Sequence, residues 1–155
     1  MRPLHIGLEK ATQKIKYYCA YQERSHKEVR DKLYSFGLYK NEVEQLVADM
    51  VEADYLNEER FATAFAGGKF RMKGWGKMKI KAELKNRGVS EYCIKIGLAR
   101  IDTVSYAASL EKLFNTRLQA LKTEKNIFIK KRKVQQFLLQ RGFEPALINA
   151  WINKI

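Results

Sequence analysis

The stretch Arg60–Val89, RFATAFAGGKFRMKGWGKMKIKAELKNRGV, decides the fold. It sets a Gly74-Trp75-Gly76 break between two helical runs, and the second run closes on Ile80-x3-Leu84-x3-Gly88-Val89. The same ending stands earlier as Val29-x3-Leu33-x3-Gly37-Leu38 and later as Val134-x3-Leu138-x3-Gly142-Phe143. Three copies of one phrase in 155 residues identify an internal repeat. Aligned on their glycines, the copies agree further on: Val43, Ile94 and Ile148 stand six residues downstream, and Val47, Leu98 and Ile152 stand ten. The glycines lie 51 and then 54 residues apart, enough chain for three short helices. A unit of that size cannot bury its own apolar face, so the expected architecture is all-α. It consists of three tandem three-helix repeats stacked into an elongated, curved array, with nine helices and no strand. The boundaries read 1–56, 57–101 and 102–155.

Local chemistry supports this division. Ser25-His26-Lys27-Glu28 has the pattern of a capping box, with the Glu28 side chain expected to reach back to the Ser25 amide. Asn57, Asp102 and Thr103 are helix caps by type, and Pro145 suits a first helical turn. Gly67-Gly68 is expected to weaken the helix that holds Phe61, Ala62, Phe65 and Phe70. In the third repeat Val104, Ala107, Leu110, Leu113 and Phe114 fall in helical register.

Charge separates the repeats. Residues 1–56 hold nine basic and nine acidic side chains, residues 57–101 eleven against four, and residues 102–155 ten against four. A net charge of +13 distributed in this way points to a polyanionic partner. The candidate contact residues are Lys69, Arg71, Lys73, Lys77, Lys81, Lys85 and Arg87 around the Gly-Trp-Gly break. Lys130, Lys131, Arg132 and Lys133 occupy the matching place in the third repeat. Lys77, Lys81 and Lys85 fall at i, i+4 and i+8, which draws a cationic stripe beside the apolar one. Trp75 could stack on a base; a tryptophan between glycines at a helix junction more often covers the end of a core, and that is the expectation.

Catalysis and metal binding find little support. Glu83, Glu91, Glu111 and Glu124 stand singly, so the paired carboxylates of a two-metal nuclease are not offered. His5 and His26 lie in the neutral third, with His26 expected at the surface, and no Cys-x2-Cys or His-x3-His spacing occurs. Gly74-Trp75-Gly76 lacks the third glycine of a dinucleotide loop. No enzyme activity, cofactor or metal is expected. Cys19 and Cys93 sit within helical patterns and read as reduced core residues. With no secretory signal and no uncharged run of about 18 residues, a soluble cytoplasmic protein without membrane contact is expected.

The chain resembles the RecX family, regulators of the RecA recombinase. The resemblance rests on Ser25-x2-Glu28-Val29-x3-Leu33, Leu56-Asn57-Glu58-Glu59-Arg60-Phe61-Ala62, Gly74-x-Gly76-x3-Ile80-x2-Glu83-Leu84-x3-Gly88-Val89 and Phe137-Leu138-Leu139-Gln140-Arg141-Gly142-Phe143. It covers nearly the whole chain, with Asn57 standing where the family usually has aspartate. It implies three tandem three-helix repeats and a non-enzymatic modulator that lodges in the groove of the RecA–single-stranded DNA filament; a monomer is expected. Its partners would be RecA and single-stranded DNA, with double-stranded DNA as a further candidate. It also implies suppression of strand exchange, coprotease activity and ATP hydrolysis. The competing reading is a free-standing helical module that binds naked DNA. Against it, the lysine-rich helices carry few side chains suited to bidentate base contacts.

Overall fold

The computed structural model describes residues 1–155 and is all-helical. Nine helices follow in order: α1 (Leu8–Tyr21), α2 (His26–Ser35), α3 (Lys40–Glu52), α4 (Glu58–Lys73), α5 (Lys77–Asn86), α6 (Glu91–Ala99), α7 (Thr103–Ala120), α8 (Ile127–Arg141) and α9 (Pro145–Ile152). None is long and apolar enough to cross a membrane.

The recurring phrase is a helix-ending turn. Gly37, Gly88 and Gly142 all have left-handed backbone, at φ 82°, 76° and 94°, a region costly for any residue with a Cβ. After α5 the Gly88 amide donates to the Lys85 carbonyl and the Val89 amide to the Leu84 carbonyl. After α8 the Gly142 amide donates to Leu139 and the Phe143 amide to Leu138. This is the Schellman arrangement, in which a carbonyl left over at the helix end takes the amide of the second residue beyond it. The accompanying apolar contact explains the other fixed positions. Leu33 with Leu38, Leu84 with Val89 and Leu138 with Phe143 are all buried, as are Val29, Ile80 and Val134 one turn earlier.

The helices gather into two compact units. The first comprises residues 1–64 and 84–96, the second residues 65–83 and 97–155. In the first, α1 packs on α2 and α3 around Ala11, Ile15, Val29, Leu33, Val43, Val47 and Met50. Ser25, the one buried polar side chain of the core, accepts from the Glu28 amide at 3.0 Å and so caps α2. The rest of the expected capping box is replaced: the Glu28 carboxylate takes the Ser25 hydroxyl and the Arg87 guanidinium, the latter at 2.9 Å. Asn57 caps α4 through the Arg60 amide at 2.8 Å. His26 is less exposed than its sequence position suggests. Its Nδ1 lies 3.7 Å from Glu58, and burial, partly offset by Glu58, lowers its pKa.

In the second unit α8 packs on α7 and α9. The buried face of α7 is Tyr106, Leu110 and Phe114, while Val104 is 77% exposed, so the helix is rotated from the register read in the sequence. The reason is Tyr106, whose ring meets Phe70 and Phe143 and whose hydroxyl finds partners inside. The Gly67-Gly68 pair does not break α4, which runs unbroken to Lys73. A Cβ on Gly67 would fall 2.6 Å from the Arg71 guanidinium, so the glycine opens a notch in which Arg71 lies along its own helix.

Two outcomes follow. A Cβ on Gly142 would fall on the Lys79 side chain and 2.6 Å from its amide nitrogen, whereas nothing stands within 4 Å of one on Gly88. In urea titrations Gly88→Ala should cost about 1 kcal/mol for backbone strain alone, and Gly142→Ala roughly 3 kcal/mol or more. For His26 the folded-state pKa lies below the unfolded one, so the unfolded chain binds the proton more readily. The stability it contributes is complete above the ordinary histidine value and is lost as pH falls toward the lowered one. Urea midpoints should therefore decline from about pH 7.5 to about pH 5.5, and His26→Asn should flatten that decline.

Candidate nucleic-acid interface

The opening amides of a helix have no partner within it. For α5 these partners come from α7, α8 and the turn after α8. Gly76 donates to the Arg141 carbonyl at 2.7 Å, Met78 to the Gly142 carbonyl at 2.9 Å, and Lys77 to the Tyr106 hydroxyl at 2.9 Å. That hydroxyl in turn bonds the Glu144 carboxylate, and burial followed by this bond pushes the Tyr106 pKa up. Arg141 adds a bond to the Lys73 carbonyl at the end of α4, at 2.9 Å. A Cβ on Gly76 would fall on the Gly142 carbonyl, so the glycine is needed for this approach. The Gly-Trp-Gly break is thus a backbone joint that fixes where the neighbouring cations stand.

Around that joint, Trp75 is half-buried. It meets the edge of Phe65 at 6.5 Å and has two ammonium groups near its ring centroid, Lys69 Nζ at 5.0 Å and Lys79 Nζ at 4.6 Å. It is therefore neither sealed in the core nor a free stacking platform. Lys77 lies 5.0 Å over the Tyr106 ring, Lys81 and Lys73 are exposed, and Arg71 lies along α4. Lys130, Lys131, Arg132 and Lys133 occupy the first turns of α8, with Lys133 3.9 Å from Glu124. At 1.5 Å per residue they stand roughly 12–17 Å along α8 from the end that meets α5. In the first unit Lys85 pairs with the exposed Glu91 at 3.5 Å and Arg87 with Glu28 at 2.9 Å. The nominated residues thus differ in freedom: Lys81, Lys73 and Arg132 are solvent-exposed, whereas Lys77 and Arg87 are tied into the fold.

Lys79 and Arg141 escaped the sequence reading. Lys79 lies off the i, i+4 stripe, yet it follows Trp75 by four residues across the helix start, and that spacing carried the signal. Nothing in the sequence marks Arg141 as the group that closes the end of α4.

Two family descriptions match the chain: RecX, second three-helix domain, over residues 57–98, and RecX, third three-helix domain, over residues 106–152. Among relatives, a regulatory protein RecX of Thermotoga petrophila is 30% identical over 136 residues, covering 87% of this chain and 78% of that protein. A regulatory protein RecX of Clostridium perfringens is 29% identical over 133 residues, and this chain spans only 62% of its length. The crystal structure of RecX from Lactobacillus salivarius superposes with a TM-score of 0.83 at 22% identity, covering 95% of both chains, a likeness of fold.

The joint makes its own prediction. Tyr106→Phe keeps the ring but leaves the Lys77 amide and Glu144 without their shared partner, and should cost about 1–3 kcal/mol in a urea titration. Faster hydrogen exchange at the Lys77 amide would accompany it; an unchanged midpoint and exchange rate would show that the hydroxyl is dispensable.

Proposed function

This chain belongs to the RecX family, and from that membership we propose that it regulates the RecA recombinase from the groove of the RecA–single-stranded DNA filament, without catalysis of its own. In this reading it acts as a cytoplasmic monomer, and residues 1–56, 57–101 and 102–155 serve as three contact modules. The basic second and third modules meet DNA phosphates, and the neutral first meets protein.

The observation that carries the proposal beyond membership is the fixed basic surface of the second unit. There Lys69, Lys79 and Lys81 surround the joint and Lys130–Lys133 line the start of α8. Lysines held by a backbone joint suit a partner whose charges repeat at regular intervals. Each phosphate contact releases counterions, so affinity falls steeply with salt. Weak contacts to successive filament subunits add through effective concentration. A protein bridging neighbouring protomers hinders the movements that accompany ATP turnover. The direction of regulation is therefore inhibition of ATPase, strand exchange and coprotease activity.

A RecA ATPase time course on single-stranded DNA, with and without the protein, tests this directly. The rate should fall; a rate unchanged or raised overturns inhibition. The triple variant Lys81→Glu, Lys131→Glu, Arg132→Glu avoids the side chains tied into the joint. It should keep the melting midpoint, weaken filament binding by at least about tenfold and flatten the salt dependence. Equal affinity for naked and RecA-coated DNA at one salt concentration would instead favour a free-standing DNA-binding module.

A further inference from the structure

The core of the first unit uses one face of α1, Ala11, Ile15 and Cys19. A second stripe on the same helix, Lys14, Tyr17, Tyr18 and Tyr21 at i, i+3, i+4 and i+7, runs beside it, with Tyr18 packed partly against the core and Lys14, Tyr17 and Tyr21 left outside. It forms one wall of a groove of about 520 Å³, closed on the far side by Arg24, Lys32 and Phe36. Tyr17 and Tyr21 are 72% and 71% exposed, with ring centroids 6.3 Å apart and planes tilted by 35°. Tyr18 is held down by Arg24, whose guanidinium lies 3.7 Å over its ring while its Nε bonds the Tyr18 carbonyl at 2.9 Å. Lys32 reaches within 5.4 Å of the Tyr18 centroid and 5.8 Å of Phe36.

Three features define the ligand. Exposed phenol rings on a helix surface are apolar area that folding has not used, and their flat faces take other π-systems. The cations are Lys14, Arg24 and Lys32, and no carboxylate lines the groove. Glu28 and Asp31 face a separate hollow on the other side of Tyr18 and Lys32; Glu28 pairs there with Arg87 at 2.9 Å and with Arg24 at 3.9 Å, which leaves Lys14 and Lys32 as the groove's unpaired cations. Net neutrality of residues 1–56 therefore hides a local site of one sign. Stacking rings beside ammonium groups suit unpaired bases on a phosphate backbone.

We propose that the groove between α1 and α2 binds single-stranded DNA, its bases stacked on Tyr17 and Tyr21 and its phosphates held by Lys14 and Lys32. The site does not depend on the filament reading and amends it at one point, since that reading gives the first module protein contact alone. Its preference is for bases over backbone, and it tolerates sequence because every base has a face to stack.

The test is fluorescence anisotropy of the full chain with a labelled oligo-dT and with an abasic strand of equal length. The wild type should bind oligo-dT more tightly than the abasic strand. The double variant Tyr17→Ala, Tyr21→Ala should lose at least about tenfold on oligo-dT, keep its affinity for the abasic strand and keep its melting midpoint. The double variant to Phe should retain binding. Equal affinity of the wild type for both strands, or no loss in the alanine variant, overturns the proposal. Loss of an effect on RecA ATPase with oligo-dT binding intact overturns it as well, because the groove then seats a protein segment. Failure of the filament reading would appear separately, as no ATPase effect from the wild type.

Discussion

Three amide hydrogens at the start of α5 set the terms for the second unit. They lie where a helix cannot satisfy them itself, and their acceptors are a tyrosine hydroxyl and the final carbonyls of another helix. The negative end of α8 thereby meets the positive end of α5, which adds a favourable dipole contact to the hydrogen bonds. Only glycine at positions 76 and 142 lets the two backbones approach this closely. Arg141 closes the end of α4 next to it. The geometry of the basic surface is therefore set by main-chain chemistry, and side-chain packing follows from it.

This constraint changes how the charge is counted. A formal charge of +13 suggests a broadly available cationic face. In the folded chain Lys77 covers a buried ring, Arg87 neutralises Glu28, Arg141 caps a helix, and Lys69 and Lys79 flank an indole. The surface proposed for a polyanion is therefore smaller and more definite, formed by the lysines around the joint and the opening turns of α8. Trp75 makes the same point. Its glycine neighbours place it at a helix junction, as expected, but the two ammonium groups beside it leave it part-covered rather than sealed.

Much of the architecture was legible because the repeat phrase encodes a complete physical device. Leu-x3-Gly-apolar states which residue packs, which turns left-handed and which returns to the core, so the ends of α2, α5 and α8 and the spacing of the repeats follow from it. Side-chain choices between equivalent faces were less legible. The register of α7 went to Tyr106 because its hydroxyl has partners on α5 and beside α9, a long-range fact invisible to local periodicity. Glu28 left its expected capping bond for an arginine 59 positions away. The aromatic stripe of α1 was present in the spacing of Tyr17, Tyr18 and Tyr21 but lay in the third whose net charge is zero. The family resemblance was legible from spaced motifs, each of which records a cap or a turn rather than a reactive group.

The glycine turns also bear on how such a chain can change over time. The turns after α5 and α8 pair carbonyls of their own helix and close their own apolar contact, so each of these helices carries its own stop signal within its repeat. Copying a segment that contains such a turn carries the helix stop along with it. The helices that open the three repeats are 14, 16 and 18 residues long, while the same glycine turn recurs in each repeat. Evolution can then lengthen or recharge the arms between turns, tuning what each module displays while the device that folds it is inherited intact.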